Sequence, residues 1–236
     1  MNSRLIAALV AFTTVASAEV IEKTKNIAGT TVHYKVVLPK NYDAAKAYPA
    51  ILGFGGGPQT MNTVDSVINR NFREEAEKRG YIVVVPAAPE GQLFFEGGEK
   101  IFPEFLKQIL ADYKIRDNKF HSAGVSNGGI SAFHVASLNP QYFISITAFP
   151  GYLWENNPAH MQAISKMCSI NMFVGEDDPM GWQPHMEHQA SLFRAQGMTT
   201  QYIVEKGQPH RLETLAGANS SRLFDLFEKY QHGCGK

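Results

Sequence analysis

Apolar residues recur along the chain with two periods, and the switch between them marks out the elements. Residues 20–28 and 31–38 alternate, with Val32, Tyr34, Val36 and Leu38 on one face and Gly29 between the runs, which predicts an antiparallel hairpin. After a polar stretch ending at Pro49, residues 50–54 form a short apolar strand that runs into Gly55-Gly56-Gly57-Pro58. From 62 to 79 the apolar positions Val64, Val67, Ile68, Phe72 and Ala76 fall at helical spacing, and Gly80 closes the helix. Residues 81–86 are continuously apolar, as expected of a parallel strand covered on both faces.

The alternation continues to the end of the chain. A helix over 101–113 feeds a strand through Phe120, Ala123 and Val125, and a second helix follows until Asn139-Pro140 stops it. Strands over 143–148, 170–174 and 200–205 are separated by helices over 158–167 and 184–196, and an amphipathic helix over 220–230 closes the chain. Residues 87–100 read as a loop in which Phe94 and Phe95 either line a pocket or fill the core. Strands alternating with helices predict an α/β fold, a mainly parallel central sheet with helices on both faces and right-handed crossovers. No long insertion separates the strands, so no large lid is expected.

Composition narrows this picture. The 236 residues, 44% hydrophobic, suffice for one large core. A net charge of +0 supplies no field to draw nucleic acid or an anionic membrane, so neither is an expected partner. At the start, Arg4 precedes an apolar run over 5–15, and Ala16-Ser17-Ala18 offers small residues for cleavage. A membrane span needs about 20 apolar residues, so residues 1–18 read as a signal peptide and 19–236 as the folded domain. The mature protein is then secreted or periplasmic, with no stable membrane association. In such a compartment Cys168 and Cys234 can pair, two buried thiols being the alternative. Oligomeric state leaves no mark on the sequence.

The candidate chemistry centres on Gly124-Val125-Ser126-Asn127-Gly128, which lies between the predicted strand and helix. A serine on a sharp strand-to-helix turn projects its hydroxyl above the sheet, and side chains at the flanking glycines would collide where strand and helix cross. The glycine triplet after the 50–54 strand is either a flexible turn or a loop whose bare N–H groups approach a developing negative charge. Two later strands end in Gly175-Glu176-Asp177-Asp178 and Gly207-Gln208-Pro209-His210, on the same carboxyl edge of the sheet as Ser126. A serine hydroxyl needs a base to take its proton, and the base needs a carboxylate to hold its tautomer. Asp178, Asp177 and Glu176 are the candidates for that acid.

With these motifs the chain resembles a secreted α/β-hydrolase, closest to the polyhydroxybutyrate-depolymerase and feruloyl-esterase-like serine esterases, over essentially its whole mature length. The resemblance implies Ser126 as nucleophile, Asp178 as orienting acid and His210 as base, with an oxyanion hole from the N–H of Asn127 and one from the Gly55 to Gly56 region. One departure is Phe54, where relatives usually carry a histidine before the oxyanion loop. The expected activity is hydrolysis of a small-molecule or polymeric ester through an acyl-enzyme. A peptidase or acyltransferase on the same residues is the alternative, as is a non-catalytic binding protein of the same fold. Trp154 and Trp182 follow strand ends beside the site and are expected to line the substrate pocket. His185 and His188 share a predicted helix face with no third ligand, so no metal and no cofactor is expected. His121 and His134 read as core or surface rather than as the base.

Overall fold

The computed structural model describes residues 19–234, so the expected leader, residues 1–18, lies outside them. The hairpin forms where the alternation places it: β1 (Val20–Ile27) pairs antiparallel with β2 (Thr30–Val37). The turn between them puts Ala28 and Gly29 at φ 50° and 90°, the left-handed region that a tight hairpin requires. Six further strands, β3 (Tyr48–Phe54), β4 (Ile82–Pro86), β5 (Ile115–Gly124), β6 (Phe143–Ala148), β7 (Ser169–Gly175) and β8 (Thr200–Glu205), run parallel to one another. The sheet order is β1-β2-β4-β3-β5-β6-β7-β8, and β2 meets β4 antiparallel. β3 is therefore flanked by β4 on one side and β5 on the other. The chain reverses its winding direction there, and open α/β sheets place their sites at such a point.

Alternate residues of the central strands supply the two faces. Leu52, Val84 and Ile146 join one buried cluster with Phe105, Phe133, Ile164 and Phe193. These belong to α3 (Phe102–Asp112), α4 (Asn127–Leu138), α5 (Pro158–Ile164) and α6 (Gln183–Ala195). Ile51, Val83 and Val85 face the other way, toward Val64, Ala76, Phe224 and Phe227. Those side chains come from α1 (Met61–Val67), α2 (Arg73–Arg79) and α7 (Ser221–Lys229). Phe94 joins the first cluster, edge-on to Phe54 and Phe102, so it fills the core rather than a pocket.

The single helix predicted over 62–79 is interrupted. Between α1 and α2 the chain makes a π turn over Ile68–Phe72, and the wider turn brings Ile68, Asn71 and Phe72 all inward. Asn71 donates from Nδ2 to the carbonyl of Leu215 at 2.8 Å, and Phe72 packs edge-on to Phe149. Helical periodicity marked the apolar positions but carried no sign of the extra residue. At the other end of the chain Cys168 and Cys234 are joined in a disulfide, which ties the tail after α7 to the turn before β7.

Candidate active site

Ser126 stands at the corner between β5 and α4 with φ 58° and ψ −126°, a conformation that a non-glycine residue adopts only where its surroundings enforce it. Its N–H donates to the Pro150 carbonyl at 2.8 Å, and its own carbonyl accepts from Gly129 at 2.7 Å. The glycines on either side are sterically required. A Cβ on Gly124 would overlap the Gly128 carbonyl, and one on Gly128 would overlap the carbonyls of Phe54 and Gly55. The collision anticipated for this motif is thus located, and it also shows α4 wedged against the loop after β3.

His210 lies on the loop after β8, with Nε2 2.9 Å from Ser126 Oγ and Nδ1 2.8 Å from Asp178 Oδ2. A carboxylate can only accept, so Nδ1 carries the proton and Nε2 is left to accept from the serine hydroxyl. The Asp178 side chain is only 1% exposed, and its Oδ1 accepts from the Met180 N–H at 2.8 Å. The other two acid candidates are turned away. Asp177 and Glu176 are exposed, and Glu176 accepts from the Gly207 N–H at 2.9 Å, bracing the histidine loop from below.

The acid loop and the histidine loop are held close by backbone. The Asp177 N–H donates to the Gln208 carbonyl at 2.9 Å, and a Cβ on Gly175 would overlap the carbonyls of Gln208 and Pro209. The histidine loop is anchored from its start by Glu205, which accepts from Arg222 of α7 at 2.7 and 3.0 Å. Burial alone would raise the Glu205 carboxyl, but the bonds from Arg222 outweigh it and hold the group below the usual carboxylate range.

Two backbone segments flank the serine. Asn127 is the first residue of α4, where an N–H has no partner within the helix. Gly56 packs directly beside the nucleophile: a Cβ there would lie 3.0 Å from the Val125 carbonyl and 3.4 Å from Ser126 Cβ. Gly55, the other candidate, is buried behind it against Thr63. Phe54 occupies the usual histidine position and is fully buried among Phe94 and Phe102, so it contributes packing and no polar group.

A fully buried residue that carried no sequence signal ties these parts together. Gln59 donates from Nε2 to Ser131 Oγ at 2.8 Å and to the Gly55 carbonyl at 3.3 Å, and its Oε1 accepts from the Phe94 N–H at 3.0 Å. Ser131 passes the connection to the Asn127 carbonyl at 2.9 Å, and Asn127 Nδ2 donates to the Gly57 carbonyl at 3.0 Å. The loop after β3 and the start of α4 are thereby fixed to one another.

A cleft of about 250 Å³ opens beside Ser126 and His210. Its floor is Val67, Val125, Phe149 and Leu212, and Arg70 and Arg211 stand in its wall. Neither Trp154 nor Trp182 is among the residues that line this cleft. Trp182 is engaged edge-on with the His210 ring at 5.0 Å. Trp154 lies further out, 48% exposed, between Tyr152 and Phe95. Tyr152 links the two indoles, and neither it nor the arginines stood out in the sequence.

The remaining histidines lie apart from the serine. His121 is fully buried with Nδ1 2.8 Å from Ser145 Oγ, and His134 packs edge-on to His160. His185 and His188 are exposed on α6, where His185 meets the Tyr152 ring at 4.4 Å.

The sequence matches the model of the Esterase family, described as "Putative esterase", over residues 25–226. It is 32% identical to dipeptidyl-peptidase 5 of Porphyromonas gingivalis over 130 residues, 49% of this chain and 19% of that protein. The chain thus spans less than a fifth of the length of the curated relatives it matches. Among solved structures, an S-formylglutathione hydrolase from Agrobacterium tumefaciens is similar at a TM-score of 0.68 and 16% identity, covering 89% of this chain and 94% of that one. A mutant of the feruloyl esterase module from Clostridium thermocellum, complexed with sinapinate, is similar at 0.69 and 15% identity, covering 93% and 90%. Identities that low speak for the fold, whereas the family match extends over most of the sequence. The chain belongs to the Esterase family and is a hydrolase built on the α/β-hydrolase fold.

Proposed function

We propose that the protein is a serine carboxylesterase working through an acyl-enzyme on Ser126. The observation that carries this reading is the continuous hydrogen-bonded chain from Ser126 Oγ through the His210 ring to Asp178, at 2.9 and 2.8 Å. His210 Nε2 takes the hydroxyl proton as Oγ attacks the ester carbonyl, and the N–H groups of Asn127 and Gly56 receive the developing oxyanion. The imidazolium then protonates the leaving alcohol. In the second half water replaces the alcohol: His210 takes its proton, hydroxide adds to the acyl carbon, and Ser126 departs with the proton returned. Asp178 holds the tautomer and stabilises the imidazolium throughout. Water is the only co-reactant this sequence of steps needs.

The partial match to dipeptidyl-peptidase 5 makes a peptidase the second reading. An enzyme that removes dipeptides must hold a free ammonium group, and the wall of this cleft carries two arginines and no carboxylate. That charge favours the esterase. Trp182 and Trp154, with Tyr152 between them, serve in this reading as an outer aromatic shelf leading to His210, able to take part of a larger or polymeric ester. Residues 1–18 direct export, and the disulfide is in keeping with an oxidising compartment. A fluorophosphonate probe tests the proposal. It should label the wild-type protein stoichiometrically and leave Ser126→Ala unlabelled, and wild type should hydrolyse short p-nitrophenyl esters. A protein that neither takes the label nor turns over any ester is not this enzyme.

A further inference from the structure

The cleft beside Ser126 has a polarity that ester hydrolysis alone does not require. Its floor is apolar and closed, with Val67, Phe149 and Leu212 each at most 3% exposed. Two cations stand in its wall, and they differ in state. Arg70 donates to Glu213 Oε1 at 2.8 Å, so its charge is matched. Arg211, next in sequence to His210, forms no ion pair among the described residues. Its Nη2 donates at 3.2 Å to Ser66 Oγ, a neutral hydroxyl beside α1 residue Val67. The guanidinium therefore reaches from the histidine loop to the opposite wall, with most of its five donors uncommitted.

We propose that this cleft recognises an ester carrying a carboxylate on a short apolar spacer, with Arg211 as the residue that reads the charge. The proposal rests on Ser126 being the nucleophile, and it names the substrate class of that site. A planar guanidinium with free donors matches a carboxylate through two parallel hydrogen bonds, which neither a lysine nor the hydroxyls of this wall can supply. The floor receives the methylenes between the charge and the ester. At about 250 Å³ the cleft is smaller than the roughly 300–1,000 Å³ of sites that enclose a drug-sized ligand. A short dicarboxylic half-ester, or an acyl ester of a short hydroxy acid, fits this arrangement, and a long acyl chain does not.

Two pairs of probes place the charge on either side of the scissile bond. Monoethyl glutarate is compared with ethyl pentanoate, and 4-acetoxybutanoate with butyl acetate, by titrating the acid released. In one pair the charged ester should exceed its neutral partner at least tenfold in kcat/KM, and the pair that responds shows which half occupies the cleft. Arg211→Gln should bring that ratio to about one, and Arg211→Glu should invert it. A salt concentration of about 0.5 M should shrink it, since a charge at a solvent-facing mouth is screened. Neutral esters hydrolysed as well as both charged partners, or a preference that survives Arg211→Gln, would overturn the proposal while leaving the esterase intact. No hydrolysis of any of the four by the wild-type protein would bring down the esterase reading and this one with it.

Discussion

The Gln59 side chain donates to Ser131 Oγ at 2.8 Å across 72 positions of sequence, and this bond couples the loop after β3 to the helix that begins beside the nucleophile. Every side-chain polar atom of Gln59 is used, in a site without solvent exposure. Removing such a side chain leaves buried groups unpaired, which costs about 1–3 kcal/mol each. Gln59→Leu should lower the melting temperature and also loosen the loop that carries the proposed oxyanion donor, the Gly56 N–H. Donors of this kind act in the transition state, so kcat should fall on the order of tenfold to a hundredfold while KM moves little. Thermal melts with steady-state kinetics on one ester separate the two effects. Lost stability with an unchanged kcat would confine Gln59 to a structural role.

Ser126→Ala and His210→Ala should each lower ester turnover by roughly 10⁴ to 10⁶, with the double variant little worse than either, because the two groups act as a unit. Turnover of Ser126→Ala above a tenth of wild type would contradict the acyl-enzyme mechanism.

Asp178→Asn should cost on the order of 10⁴ in turnover, since an amide at that position can donate to Nδ1 and favour the wrong imidazole tautomer. Asp177→Asn should cost far less, because the Asp177 side chain is exposed and only its backbone N–H holds the histidine loop. Measuring both variants on one ester checks the order, and a reversed order would move the acid to Asp177.

The Cys168–Cys234 bridge closes a sequence separation of 66 residues. Chain-entropy reasoning assigns such a loop roughly 4 kcal/mol as an upper figure. Reduction, or a Cys168→Ser and Cys234→Ser pair, should lower the melting temperature and leave turnover at low temperature near wild type. Thiol titration of denatured, unreduced protein should find none, and two titratable thiols would exclude the bridge.

His121 supplies a pH dependence of stability. Burial pushes its imidazole from the ordinary 6.5 down to about 3. Between those values the unfolded chain binds a proton that the folded one refuses, so stability falls as pH drops through that window. The urea midpoint should therefore decline from about pH 7 to 5, before most carboxylates titrate. In His121→Phe that decline should be shallower. Equal slopes in the two proteins would assign the effect elsewhere.

Much of the architecture was legible because periodicity is local. The alternation of 31–38 identified β2, and the continuous apolar run of 81–86 identified the buried β4. The Gly-x-Ser-x-Gly corner was legible in part for the same reason, since the collision that demands glycine at Gly124 is with Gly128, four positions on, whereas the one at Gly128 is with the distant Phe54 and Gly55 carbonyls. The π turn at Ile68–Phe72 was not, and the contact it makes, from Asn71 to Leu215, lies far along the chain.

The sequence by itself determined that strands alternate with helices, that Ser126 sits at a sharp turn, and that an acidic group and a histidine follow later strands in the right order. Which acid reaches His210 was decided only by tertiary structure, through the close packing of Gly175 against Gln208 and Pro209 that sets two distant loops together. The same holds for Gly56 rather than Gly55 beside the serine, for the aromatic contacts of Trp182 and Trp154, and for the place of Arg211 in the cleft wall. Each depends on where a side chain ends relative to a segment many residues away. A linear pattern records which face a residue occupies, and the packing of the sheet and its helices sets what that face meets.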